Sequence, residues 1–202
     1  MILFLFCTYG NEQMNIISGT ARNLELADLP DSAVRPTAVR ARKALFDSIG
    51  VFAGKTVLDL FSGSGALALE AASRGASTVV MVENDPAHVA CIRENCRRVT
   101  AAGADAEKLI LEFDALFPQR YLPKLPALPD LIFADPPYAD SSKFFHRLLS
   151  DETFVTELSG SRLIWEVPDT PGALGEFMEH PALSDVTIRR FGGTFFLLGT
   201  IK

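Results

Sequence analysis

Short apolar runs recur along the chain at about 56–61, 78–83, 108–113, 130–135 and 162–167, each of strand length and each bounded by Gly, Pro or charged residues. Runs that are apolar at nearly every position belong to strands covered on both faces. Stretches of helical spacing separate them, and strands alternating with helices build a parallel sheet with helices on both sides. Two further runs, Val186 to Arg190 and Thr194 to Ile201, flank Gly192-Gly193 and read as a terminal antiparallel hairpin. Upstream, a helix is expected from near Thr37, with Ala41, Ala44 and Leu45 turned inward and Arg40 and Lys43 sharing a face. The pattern predicts an α/β fold, a mostly parallel sheet closed by an antiparallel hairpin, in one domain with an N-terminal appendage.

The run Leu131 to Ala134 ends in Asp135-Pro136-Pro137-Tyr138. Adjacent prolines neither continue a strand ladder nor enter a helix interior, so the backbone leaves the sheet in a fixed, extended turn. An acid and an aromatic ring are left at a strand's carboxyl end, where open α/β sheets bind ligands. An ionised Asp135 is acceptor-only, and with the Pro136 carbonyl it offers acceptors to both N–H bonds of a planar amine. A nucleobase amino group is a poor nucleophile because its lone pair is delocalised into the ring. Holding both N–H bonds orients the nitrogen and favours the pyramidal geometry that exposes the lone pair. Tyr138 adds a face on which a base can stack. The plain alternative is a Pro-Pro turn capped by an acid.

A second motif runs from Val57 to Ala71, in which a buried strand ending at Asp59-Leu60-Phe61 passes through Ser62-Gly63-Ser64-Gly65 into an Ala/Leu-rich helix. The glycines allow a tight turn and close approach of a ligand. The next strand ends in Glu83, whose carboxylate suits the two hydroxyls of a ribose. Gly63 to Ala68 also fits a loose dinucleotide fingerprint, which keeps a nicotinamide enzyme in view. Two details favour a different ligand. Phe61 and Ser62 intervene between strand and glycine, and Asp59 places negative charge where a pyrophosphate wants only N–H donors. A carboxylate there suits the ammonium of an amino acid, and S-adenosylmethionine carries that ammonium together with a ribose and a sulfonium.

Asp59 to Gly65, Glu83-Asn84-Asp85, Asp114-Ala115 and Asp135 to Tyr138 resemble the ordered motifs of Rossmann-like methyltransferases that modify exocyclic amino groups. Met14 to Gly19, Arg35 to Phe46 and Phe191 to Thr194 narrow the resemblance to the bacterial small-subunit ribosomal RNA guanine-N2 methyltransferases, from Met14 to the end of the chain. The resemblance implies a Rossmann-like methyltransferase fold with a small N-terminal hairpin and basic helix over residues 14–52 and a catalytic domain over 53–202. It implies Asp59, Phe61, Gly63 and Gly65 around the methionine part of S-adenosylmethionine, Glu83 and Asn84 at its ribose, and Asp114 and Ala115 near its adenine. Asp135, Pro136, Pro137 and Tyr138 are then expected at the target base. The family's hairpin is rich in Arg and Lys, whereas Thr20 to Leu26 keeps only Arg22. Residues 1–13 have no counterpart in the family and are expected to be an extension from an upstream start, since Ile2 to Cys7 is too short to span a membrane and lacks the features of a signal peptide.

A net charge of −6 over 202 residues is unfavourable for an RNA enzyme, because phosphate attraction supplies much of the affinity. Ala33 to Phe46, however, carries Arg35, Arg40, Arg42 and Lys43 with no acid among them. These form either a solvated helix face or a patch for RNA, while Arg35-Pro36-Thr37 is a turn that contacts substrate or closes over the cofactor. Cys7, Cys91 and Cys96 match no disulfide framework and no metal spacing, and His88, His146 and His180 are read as solvated or packed. The expectation is a cytoplasmic, metal-free monomer that uses S-adenosylmethionine on ribosomal RNA or the assembling small subunit. A DNA adenine or cytosine amino-methyltransferase shares the motifs but normally needs a sequence-reading module, and a non-catalytic RNA- or protein-binding module is the rival of another class.

Overall fold

The computed structural model describes residues 14–29, 36–169 and 173–202. Residues 1–13, with Cys7, and the turn residue Arg35 lie outside them, as does the side chain of Thr37.

Seven strands form one sheet: β1 (Thr56–Leu60), β2 (Thr78–Glu83), β3 (Glu107–Glu112), β4 (Leu131–Ala134), β5 (Arg162–Val167), β6 (Leu183–Phe191) and β7 (Thr194–Ile201), in the spatial order β3-β2-β1-β4-β5-β7-β6. The strands from β3 to β5 are parallel and β7 runs antiparallel to β5, as the sequence pattern predicts. The last hairpin starts earlier than expected, because β6 reaches back to Leu183 through a bulge between Ser184 and Thr187 with Asp185 at φ 52°. Phe61 and Asp135, read as strand ends, both lie just beyond their strands.

Alternating side chains of each strand feed two cores. Val57, Val79, Phe133 and Ile164 face one, under α1 (Pro36–Ile49), α2 (Ala66–Ser73) and α3 (Pro86–Ala101). Leu58, Val80, Ile132 and Trp165 face the other, under α4 (Pro118–Tyr121), α5 (Ser141–Leu149), α6 (Glu152–Glu157) and α7 (Ala173–Met178). Burial on both faces is what required continuous apolar runs. No described helix is long and apolar enough to cross a membrane.

Residues 14–26 make a narrow antiparallel loop, bridged at Asn15 and Glu25 and closed by Leu26 N–H to Met14 O at 2.8 Å. It docks beside α2 and α3: the Ile17 N–H reaches Glu70 Oε2 at 2.7 Å, Thr20 N–H the Ser73 carbonyl at 2.8 Å, and Ala27 N–H Asn95 Oδ1 at 2.6 Å. Ile16 and Leu26 share a core with Leu45 and Phe46 of α1 and with Val57.

The chain runs outward through β1, β2 and β3 and then returns to β4 on the other side of β1. The crevice beyond the carboxyl ends of β1 and β4 is therefore the ligand position of such a sheet. Leu60 pairs with Ala134, so Phe61 and Asp135 leave the sheet side by side.

Candidate active site

Between β1 and α2 the backbone makes a turn that its own hydrogen bonds fix. Phe61 at φ 59°, Gly63 at 55° and Gly65 at 78° are all left-handed. For Phe61 this is a strained state. Its ring is held by stacking on Phe144 at 5.7 Å and edge-on against Trp165 at 6.2 Å. Ser62 Oγ donates to Asp59 O at 2.6 Å, Ser62 N–H to Val82 O at 3.1 Å, and Gly65 N–H to Ser62 O at 2.7 Å. A Cβ on Gly65 would lie 3.2 Å from Met81 Sδ, a tight contact, and the φ of +78° is what calls for glycine here.

Two carboxylates stand over this turn. Glu83 is 8% exposed; its Oε2 accepts from Gly63 N–H at 2.8 Å and its Oε1 from Asn84 and Asp85 N–H, each at 2.9 Å. Nδ1 of His88 lies 3.7 Å from the same Oε1. Asp59 is buried, its Oδ2 accepting from Ala68 N–H at 3.2 Å while its Oδ1 has no partner. Burial, with a smaller push from Glu83, raises the Asp59 pKa to about 7 against the pull of the Ala68 N–H. A buried carboxyl oxygen left unpaired is costly unless a ligand supplies a donor.

At the end of β4 the side chain of Asp135 opens to the crevice, while Pro136 is buried and Pro137 exposed. Asp135 is nevertheless ringed by protein. That surrounding, then the adjacent Glu166 carboxylate and its hydrogen bond, raise its pKa well above the carboxylate range, with a further contribution from Asp59. Burial also raises Glu166, against hydrogen bonds from Tyr138 and Asp135. The two carboxyls titrate together, since ionising one changes the cost of ionising the other. Tyr138, 54% exposed, donates its hydroxyl to Glu166, and Ser141 Oγ, which accepts from Trp165 Nε1 at 2.9 Å, donates to the Glu166 carbonyl at 3.3 Å.

These groups line one cavity of about 1110 Å³. Of the sequence-predicted residues, Asp59, Phe61, Gly63, Glu83, Asn84, Asp114, Ala115, Asp135, Pro136, Pro137 and Tyr138 all face it, and Gly65 lies beneath the turn. Asp114 Oδ1 caps its own loop by accepting from Leu116 N–H at 2.9 Å. Arg40 and Lys43 lie outside the cavity. Arg42, counted in the basic stretch, is instead buried and donates to Asn15 O at 2.6 Å, because its position on α1 turns toward the 14–29 segment. Among the site residues that sequence reading passed over are Glu166, Asp169, Phe144 and His88. Glu166 obeyed the rule that found the other acids, a carboxylate at the carboxyl end of a parallel strand, and was legible on that ground. The walls carry Asp59, Glu83, Asp85, Asp114, Asp135, Glu166 and Asp169 against Arg42 as the one Arg or Lys among the described residues. Such a cavity favours a cationic ligand and disfavours a pyrophosphate.

The family described as "Conserved hypothetical protein 95" matches residues 14–169, which include every one of these groups from Asp59 to Glu166. The chain belongs to that family. Within it and around it, "Ribosomal RNA small subunit methyltransferase D" of Escherichia coli (strain K12) is 34% identical over 131 residues, 64% of this chain and 62% of that protein. A Bacillus subtilis (strain 168) protein named "Putative rRNA methyltransferase YlbH" is 29% identical over 168 residues, 80% of this chain and 89% of that one. A solved methyltransferase from Pyrococcus furiosus has the same fold, with a TM-score of 0.66 at 18% identity over 89% of each chain. This member of the Conserved hypothetical protein 95 family has the Rossmann-like methyltransferase fold.

Proposed function

We propose that the chain methylates the exocyclic amino group of a nucleobase from S-adenosylmethionine, with guanine N2 of small-subunit ribosomal RNA as the target. One observation carries the reading: Asp135 and the Pro136–Tyr138 turn open into the same acidic cavity as the β1 turn, Asp59 and Glu83. The named activities of the Escherichia coli and Bacillus subtilis relatives support the substrate class.

The donor set fits the cofactor. The unpartnered Asp59 Oδ1 suits its ammonium, Glu83 and Asn84 its ribose, and Asp114 and Ala115 its adenine. When bound, S-adenosylmethionine supplies a methyl group on a positively charged sulfur. Asp135 and the Pro136 carbonyl accept the two N–H bonds of the base and direct its lone pair. Tyr138, anchored through its hydroxyl to Glu166, presents the ring on which a flipped base stacks. The proton released from nitrogen passes to Asp135, where the pair with Glu166 retains it.

The deciding experiment incubates the chain with methyl-labelled cofactor and, separately, ribosomal RNA, assembled small subunits and duplex DNA, followed by nucleoside analysis. Label in N2-methylguanosine from small-subunit RNA is expected. Label in DNA amino groups transfers the activity to the DNA rival, and no label in any substrate removes the catalytic reading.

Two predictions concern the cofactor end. Glu83→Ala removes charge-assisted ribose hydrogen bonds of about 1.5–3 kcal/mol, which corresponds to about 10- to 150-fold weaker cofactor binding with RNA affinity unchanged. Equal cofactor affinity in the variant, by calorimetry, would take Glu83 out of the site. Asp59 must be ionised to pair with an ammonium, so affinity should rise from about pH 6 to about pH 8 as the raised carboxyl loses its proton. The ligand-free protein should move the other way. A folded pKa above the unfolded value contributes stability at low pH that is lost as pH rises through about 7. Asp59→Asn should flatten both trends, and a pH-independent affinity in the parent would defeat the assignment.

A further inference from the structure

The charge expected on α1 is largely engaged: Arg42 is buried, and Lys43 pairs with Asp47 at 2.5 Å, leaving Arg40. A different surface keeps its charge. The loop after β3 turns Phe113 and Leu116 into the cavity wall and leaves Phe117 41% exposed beside it. The guanidinium of Arg120 on α4 lies 5.4 Å from the centre of the Phe117 ring, and that of Arg147 on α5 lies 5.0 Å from it. The ammonium of Lys124 sits 5.7 Å from the centre of the Phe113 ring.

All three cations are exposed, and none takes part in a salt bridge among the described residues. The arginines of α3 provide the contrast, since Arg93 pairs with Glu112, and Arg97 and Arg98 pair with Glu94. Asp151, which packs next to α4, already accepts from Gln119 Nε2 at 2.8 Å and from Phe154 N–H at 3.0 Å. Two guanidiniums gathered on one ring repel each other, and the ring's negative face orients them without cancelling their charge. An anion relieves that repulsion. The surface is also continuous with the site: Phe144, one helical turn before Arg147, lies in the cavity wall against Phe61.

Resting on the nucleobase reading above, we infer that Phe117, Arg120, Lys124 and Arg147 form the docking surface for the RNA strand that flanks the target base. The basic side chains take its phosphates and the guanidinium planes offer stacking faces to its bases. In a chain of net charge −6, attraction for RNA has to be local, and this patch adjoins Phe113, Leu116 and Phe144 of the cavity wall.

The test is a salt titration of small-subunit ribosomal RNA binding to the full chain, with cofactor affinity and melting temperature followed in parallel. Arg120→Ala/Arg147→Ala should weaken RNA binding about tenfold or more and lower the slope of log affinity against log salt by about two, with the cofactor affinity and melting temperature of the parent. Phe117→Leu, which keeps apolar bulk but removes the ring, should weaken binding with a smaller change of slope. Arg40→Ala/Lys43→Ala should change the slope by at most about one, because Lys43 is already paired. A parent that binds no RNA overturns both this surface and the proposed function. A parent that binds, alongside an Arg120→Ala/Arg147→Ala variant of unchanged slope, overturns the surface alone.

Discussion

Replacing Asp135 by Ala is expected to lower the single-turnover rate of methyl transfer by about 10²–10³-fold while cofactor affinity stays within about threefold of the parent. The loss corresponds to about 3–4 kcal/mol, the scale of removing one preorganised acceptor from the place where charge develops. Asp135→Asn keeps an acceptor and should be milder. The pairing with Glu166 adds a pH signature. Asp135 must be ionised to take up the proton released from the nitrogen it shares with the Pro136 carbonyl, and surrounding protein and Glu166 hold its pKa well above the carboxylate range. Turnover should therefore rise with pH at values where an isolated carboxyl is already ionised, about 3.9 for Asp. Glu166→Gln removes the neighbouring charge and should move that rise to lower pH. A Glu166→Gln profile that coincides with the parent's would separate the two carboxyls. An Asp135→Ala rate within about threefold of the parent would end the role given to Asp135.

The sheet was legible because parallel strands need apolar residues at nearly every position. Val79 to Val82 and Leu131 to Ala134, buried on both faces, are runs of this kind. What the pattern missed are local events with little hydrophobic signature. The bulge at Ser184–Thr187 lengthens β6 through a non-glycine residue, Asp185, in the left-handed region. The turn of Phe61 out of β1 depends on stacking against Phe144, a contact between residues distant in sequence.

The site divides in the same way. Asp59, Glu83 and Asp135 were found because each ends a strand that reads clearly. Glu166 is at the same kind of position and was legible by that rule, with Pro168 two residues on, but its link to Tyr138 and Asp135 exists only once β4 and β5 are paired. The fate of α1's charge was equally hidden. Helical spacing gives a shared face but not the neighbour that covers it, and the 14–29 segment is what takes Arg42 out of solvent.

That segment packs on α2 most closely at one glycine, and Gly19→Ala should be among the most destabilising single substitutions. A Cβ at Gly19 would lie 1.8 Å from the Ser73 carbonyl oxygen, a backbone atom that cannot rotate away, and φ is +83°. The turn would have to leave α2, breaking Thr20 N–H to Ser73 O at 2.8 Å, Ala21 N–H to Ser73 Oγ at 2.9 Å and Ser73 Oγ to Ser18 O at 2.6 Å. Overpacking, an unfavourable backbone conformation and lost hydrogen bonds together amount to about 3–5 kcal/mol. At about 2–4 °C per kcal/mol for a chain of this size, the melting temperature should fall by about 6–20 °C. Gly160→Ala is the control: φ is +87° but the space around it is open, so only the conformational cost of about 1–2 kcal/mol applies. The effect should reach the cofactor, because Asn95 holds Ala27 by two hydrogen bonds and donates to Ser64 O in the β1 turn at 3.0 Å. Gly19→Ala should expose residues 14–29 to limited proteolysis and weaken cofactor binding together. Equal melting temperatures for Gly19→Ala and Gly160→Ala would show that the loop does not grip α2 at Ser73.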